Sequence, residues 1–177
     1  MKNTTMEFNM LNKNDILIRP MNEDDYILMA KWLSDEKVLE YYGPELTLEQ
    51  VIIKYAPRIE GNHSVKPCIV EFQNTPIGFM QYYPIPEAQT MAYGYLENEK
   101  IVGIDQFIGE TNLWGKGIGP NMIEMLLEYI SLKEEAHRVI LDVKNTNVRA
   151  IKCYEKCEFR KVRSLENNYS LMEWTKI

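Results

Sequence analysis

The chain has 177 residues, 45% of them hydrophobic and 26% charged, the proportions of an ordinary folded domain. Twenty basic against twenty-six acidic residues leave a net charge of −6, which argues against a duplex nucleic-acid binder and permits a cationic ligand. No apolar run reaches the ~18 residues of a membrane span, and the first fifteen residues lack the apolar centre of a signal peptide. Three cysteines, Cys68, Cys153 and Cys157, are too sparse for a disulfide framework and fit a reducing cytoplasm. Cys153 and Cys157 read as ordinary thiols. His63 and His137 sit in unrelated contexts, so no metal site is expected.

No repeat, low-complexity tract or flexible linker interrupts the chain, so one domain over residues 1–177 is expected, with 1–13 as a loose leader. Asp15–Arg19 alternates like a short strand, and Pro20 stops it. Asn22 suits an N-cap, and Glu23, Asp24 and Asp25 favour the positive end of the helix it opens. Tyr26, Met29, Ala30 and Leu33 give that helix an apolar stripe. A short helix is predicted over Asp35–Tyr42, ended by Gly43-Pro44. Thr47 and Gln50 form a capping box, so a helix begins there and runs to about Tyr55.

Pro67–Phe72 and Ile77–Tyr83 read as a hairpin. Residues Pro84–Lys100 carry two prolines and no period, and read as a loop. Ile101–Ile108 is a strand. The helix after Gly119 buries Met122, Ile123, Leu126, Leu127 and Ile130. Val139–Val143 is a strand, Asn147 caps a further helix, and Phe159–Val162 with Tyr169–Trp174 form a closing hairpin. The pattern is mixed α/β.

The densest signal is Trp114-Gly115-Lys116-Gly117-Ile118-Gly119-Pro120. Alternate glycines let backbone N–H groups converge on an anion, and the following helix adds its positive end. Lys116 adds a full charge. Pro120 suits a first helical turn, where its missing N–H costs nothing. The stretch is neither a Walker loop nor a dinucleotide fingerprint. By spacing alone it is either a pyrophosphate seat or a simple strand-to-helix turn.

Gly117-Ile118-Gly119 after a strand resembles the acyl-CoA loop of the GNAT acetyltransferases, Q/R-x-x-G-x-G/A, with Trp114 at the position of the consensus side chain. Asn147, Ala150, Tyr154 and Phe159 resemble a second signature, N-x-x-A-x-x-x-Y-x-x-x-G-F, with Glu158 at the glycine. A left-handed glutamate there costs ~1 kcal/mol or forces another helix exit. Lys31-Trp32-Leu33, Val38–Gly43, Pro76–Gln81, Gly103-Ile104-Asp105-Gln106, Leu141-Asp142 and Arg149-Ala150-Ile151 resemble, in order, the aminoglycoside 6′-N-acetyltransferases.

The resemblance implies a mixed, mostly antiparallel sheet flanked by helices. It implies acetyl-CoA as co-substrate, no metal, and a polycationic aminoglycoside as acceptor, in a monomer or homodimer. Gln106, Phe107, Ile108, Gly115, Lys116, Gly117, Ile118, Gly119, Pro120, Asn147, Ala150 and Tyr154 would hold the co-substrate. Trp32, Tyr41, Tyr42, Gln81, Asp105 and Asp142 would face the acceptor. Glu87, Glu97 and Glu99 could add negative charge.

The implied reaction is direct attack of an amine on a thioester. The ammonium must lose a proton, the oxyanion needs a donor, and the departing thiolate benefits from an acid. The resemblance assigns Asp105 to the amine and Tyr154 to the thiolate. The oxyanion donor is expected to be a backbone N–H near Phe107 or Ile108. Without the resemblance, Asp105 reads as a strand-end turn cap and Tyr154 as a half-buried helical aromatic. The alternatives are a GNAT enzyme for another amine (a polyamine, a siderophore precursor or a protein N-terminus) and a silent acyl-CoA-binding module.

Overall fold

A computed structural model describes residues 11–96 and 98–176. Its strands are β1 (Leu11–Lys13), β2 (Ile16–Pro20), β3 (Lys66–Phe72), β4 (Thr75–Pro84), β5 (Ile101–Ile108), β6 (Arg138–Lys144), β7 (Arg160–Leu165) and β8 (Tyr169–Thr175). Its helices are α1 (Tyr26–Trp32), α2 (Glu36–Leu39), α3 (Leu48–Ile59), α4 (Glu87–Ala92), α5 (Ile118–Lys133) and α6 (Val148–Lys156). The strands form one sheet in the order β1-β2-β3-β4-β5-β6-β8-β7. Neighbours are antiparallel except β5 and β6. The mostly antiparallel α/β architecture expected from the sequence is the one observed.

Two expectations are corrected. Leu11–Lys13, placed in a loose leader, pair with Ile16–Ile18 as an edge strand, because a tight turn at Asn14 and Asp15 folds them back. Residues 84–100, read as a loop, contain α4, which starts directly after Pro86. Its six residues are too few to show a helical period. In addition, α3 runs on to Ile59 through Pro57, which lies in its last turn. Glu97 lies outside the described residues.

Alternation along the strands sorts side chains to two faces. Met80, Tyr82 and Ile104 meet Met122, Leu126 and Ile130 of α5 and Tyr154 of α6 in the larger core. Phe79 and Phe107 point the other way, toward Met29 and Trp32 of α1 and Val51 and Tyr55 of α3. Leu126 and Ile130 are fully buried, each contributing ~1.5–3 kcal/mol of apolar transfer.

The parallel junction matters most for function. Residues 101–103 of β5 pair with 138–140 of β6, and the register ends there although both strands continue. Beyond Gly103 and Ile140 the strands part, and the sheet opens into a wedge.

Candidate active site

The wedge is lined by main chain on its β5 side. Ile101 and Gly109 use their backbone groups on β4, so alternation turns the N–H groups of Gln106 and Ile108 into the opening. The N–H of Phe107, one of two expected oxyanion donors, faces β4 instead. The Ile108 carbonyl accepts from Trp114 Nε1 at 2.8 Å, which ties the glycine loop to the end of β5.

Gly115 and Gly117 in that loop have φ of +75° and +79°, left-handed values that glycine adopts without strain. Gly117 is the N-cap of α5, and its carbonyl accepts from Asn121 Nδ2 at 3.1 Å. The free N–H groups of the first turn therefore face outward beside the wedge. Gly119 has a different reason for its identity: a Cβ there would lie 3.0 Å from Cys153 Sγ of α6. Asn147 caps α6 by accepting from the Ala150 N–H at 3.2 Å. At the far end of α6, Glu158 has φ +67°, and the Phe159 N–H bonds the Tyr154 carbonyl at 3.0 Å. The helix exit thus keeps the left-handed form that glycine would favour.

A cavity of about 490 Å³ follows the wedge from the glycine loop to Asp105 and Asp142. Tyr41, Tyr42, Gln106, Phe107, Ile108, Gly115, Gly117, Ile118, Gly119, Pro120, Asn147, Ala150 and Tyr154 also line it. Lys116 projects into solvent beside the loop, outside the lining. Trp32 is the clear correction. It is 1% exposed, donates to Glu110 Oε1 at 2.9 Å and packs edge-on to Phe107, so it supports the cavity wall from behind and offers no face to an acceptor. Of the acidic side chains in the 84–100 segment, Glu87 is exposed at the start of α4 and Glu99 pairs with Arg138 at 2.8 Å.

On the α6 side of the cavity the polar group is Tyr154. It is buried, and its hydroxyl accepts from Gln106 Nε2 at 2.7 Å, leaving the phenolic proton uncommitted. Burial pushes its pKa well up, so it is a neutral donor at physiological pH. Gln106 Oε1, beside it, is buried without a hydrogen-bond partner.

On the opposite face Asp105 sits in a polar network. Oδ2 accepts from Gln81 Nε2 at 2.5 Å and Oδ1 from the Tyr83 hydroxyl at 3.2 Å. Burial raises the Asp105 carboxyl above the usual aspartate value, and the nearby Asp142 charge adds to this. The two hydrogen bonds and the Lys54 ammonium pull the other way. Asp142 stands at the solvent side of the wedge, its carboxyl also raised by desolvation. Gln81 does not line the cavity itself. It is 7% exposed and acts on Asp105 from behind, with Arg58 Nη1 donating to its Oε1 at 2.9 Å. Sequence reasoning missed Tyr83, although its i+2 spacing from Gln81 puts both on one strand face. It also missed Lys54 and Arg58, one turn apart on α3.

A strand pair that parts beside a glycine-capped helix offers main-chain donors to an anionic ligand, and comparison with known proteins narrows the class. Residues 21–167 match the family model described as an acetyltransferase (GNAT) domain. The chain belongs to the GNAT acetyltransferase family. Among GNAT relatives, aminoglycoside N(6′)-acetyltransferase type 1 of Klebsiella pneumoniae is 32% identical over 157 residues, 85% of this chain and 77% of the relative. The GNAT structure of aminoglycoside acetyltransferase AAC(6′)-Ib in complex with coenzyme A and kanamycin superposes with a TM-score of 0.76 at 29% identity, covering 91% of this chain and 95% of that one. Spermidine N-acetyltransferase from Vibrio cholerae, solved with CoA and spermine, shares the fold at TM-score 0.78 and 18% identity over 92% of this chain and 96% of that one. Among the described residues no helix is long and apolar enough to cross a membrane.

Proposed function

We propose that this protein transfers the acetyl group of acetyl-CoA to the 6′-amine of aminoglycosides, by direct attack within a ternary complex. The product would lose a cation that such drugs use to bind ribosomal RNA, so the biological effect would be antibiotic resistance. The observation that carries the reading is the arrangement across the wedge. Asp105 and Tyr154 stand on opposite faces of one strand, and both border one continuous cavity.

The residues fit the co-substrate. The left-handed Gly115 and Gly117, the first turn of α5 and the nearby Lys116 and Arg149 suit a pyrophosphate. The orphaned Gln106 Oε1 suits an amide N–H, a group the pantetheine arm carries. Acetyl-CoA supplies an activated acetyl group and a thiolate leaving group.

The remaining steps belong to the protein. Asp105 receives the acceptor ammonium and aims its nitrogen into the wedge. Its raised pKa makes it a better proton acceptor than a free aspartate, while the hydrogen bonds from Gln81 and Tyr83 favour its ionised form. The Gln106 and Ile108 N–H groups meet the oxygen that gains charge as the C–N bond forms. Tyr154 donates its free proton as a hydrogen bond to the departing sulfur. A thiolate is less basic than a phenolate, so the hydrogen bond suffices and full transfer is not required. Tyr41 and Tyr42 wall the cavity, and Asp142 offers a second carboxylate to a cationic acceptor.

The test is release of CoA thiol from acetyl-CoA with kanamycin, gentamicin, spermidine and a lysine-bearing peptide, followed by NMR location of the acetyl group. Turnover with kanamycin and acetylation at the 6′-nitrogen are expected. Turnover confined to spermidine or the peptide would refute the aminoglycoside assignment.

A further inference from the structure

Asp105 is held from behind by a chain of hydrogen bonds whose direction is set at its far end. Gln81 is buried, and its amide spans two partners. Its Nε2 donates to Asp105 Oδ2 at 2.5 Å, and its Oε1 accepts from Arg58 Nη1 at 2.9 Å. An amide can turn over, exchanging its donor and its acceptor, and a carboxyl group can use either end. A guanidinium cannot, because it has donors only. One orientation of Gln81 therefore satisfies Arg58, and that orientation presents N–H to Asp105. Arg58 is half-buried on α3, its guanidinium 5.3 Å from the centre of the Tyr55 ring, and it does not line the cavity.

We propose that Arg58 is a positioning residue for the transfer reaction: by fixing the Gln81 amide with its N–H toward Asp105, it keeps that carboxylate in the charged form that receives an ammonium. This rests on the role given to Asp105 above. The device works mainly against the protonated state. A neutral Asp105 has an O–H to donate, and the Gln81 oxygen is turned away to Arg58. The carboxylate accepts from Gln81, and the neutral acid gains nothing from it. The other groups around Asp105 divide in sign. Burial and Asp142 of β6 favour the neutral acid, while Lys54 of α3 and the Tyr83 hydroxyl of β4 favour the carboxylate. Tyr42 after α2, Tyr55 of α3 and Tyr154 of α6 also feel its charge, and burial keeps these three phenols neutral at physiological pH. With burial and Asp142 opposing the charge, the direction of the Gln81 amide carries weight.

The titration of Asp105 in the free protein tests this. Aspartate labelled with carbon-13 at its carboxyl carbon reports each group by NMR, and Asp105→Asn identifies the signal. Arg58→Met should raise the Asp105 midpoint by about one pH unit, because the released amide can turn and accept from the neutral acid. Arg58→Lys retains a donor-only partner and should hold the midpoint within ~0.3 unit of wild type. Gln81→Leu should raise the midpoint by itself, and adding Arg58→Met should then move it by no more than ~0.3 unit. The acid limb of kcat/KM for kanamycin should shift in the same order. The amine is the same throughout, so a difference between limbs belongs to the protein. An unmoved midpoint in Arg58→Met, whatever its rate, leaves Arg58 a structural role and overturns the inference. An equal rise with and without Gln81 also overturns it, because the charge would then act through space and not through the amide. Failure of the wild type to acetylate kanamycin would refute the functional assignment, while the titration still decides whether Arg58 sets the state of Asp105.

Discussion

The two faces of β5 solve different recognition problems by different means. Toward α5 and α6 the site is made largely of main chain: two left-handed glycines, a helix N-terminus and the unpaired N–H groups of a splayed strand. Toward α3 it is made of side chains, Asp105 held by Gln81 and Tyr83 with Arg58 behind. Main chain suits a ligand whose phosphates recur in every reaction, because its geometry tolerates changes of side chain. Side chains suit an acceptor that must be told from its chemical neighbours. Trp114 illustrates the first half. It replaces a consensus polar residue, yet it anchors to Ile108 and carries Arg149 stacked 3.4 Å from its ring, so the loop keeps a nearby cation.

Substitutions that strike one face should leave the other intact. The largest effect is expected from Asp105→Asn, a loss of about 10²- to 10⁴-fold in kcat/KM for the acceptor, read by thiol release. The wild-type rate should also fall as pH drops through the raised Asp105 pKa, because only the carboxylate holds an ammonium. The variant should lack that acid limb. Tyr154→Phe should lower kcat by ~10- to 100-fold, with acetyl-CoA affinity nearly unchanged, as the role proposed for its hydroxyl at the departing sulfur requires. Gly117→Ala forces a Cβ into a left-handed N-cap, and should weaken acetyl-CoA binding by roughly 1–2 kcal/mol while acceptor discrimination stays as it was. The smallest change, Glu158→Gly, relieves the left-handed exit of α6. It should raise stability by no more than ~1 kcal/mol in a denaturant titration, with activity unchanged.

The face built from main chain was the more legible in sequence. Glycine at alternate positions, Pro120 in a first turn and Asn147 three residues before Ala150 each encode backbone geometry locally, and all took the expected form. The sequence left two exits open at Glu158, and the left-handed one is observed. The acceptor face depends on contacts between distant segments. Arg58 and Gln81 are 23 residues apart and Gln81 and Asp105 are 24, and no local pattern couples them. Trp32 shows the same limit. Its position next to Leu33 of the α1 stripe fits a buried ring as well as an exposed one, and contacts with the distant Phe107 and Glu110, the latter 78 residues away, fix the buried choice. The opening between β5 and β6 was not legible either, because both strands read as continuous and only their register reveals where pairing stops.

The most direct test of this division is acetyl-CoA binding to Asp105→Asn by calorimetry, run beside its turnover with kanamycin. Two independently built half-sites predict wild-type affinity for acetyl-CoA in a protein that has lost nearly all transfer. A parallel loss of acetyl-CoA affinity, or transfer that survives the substitution, would contradict the account.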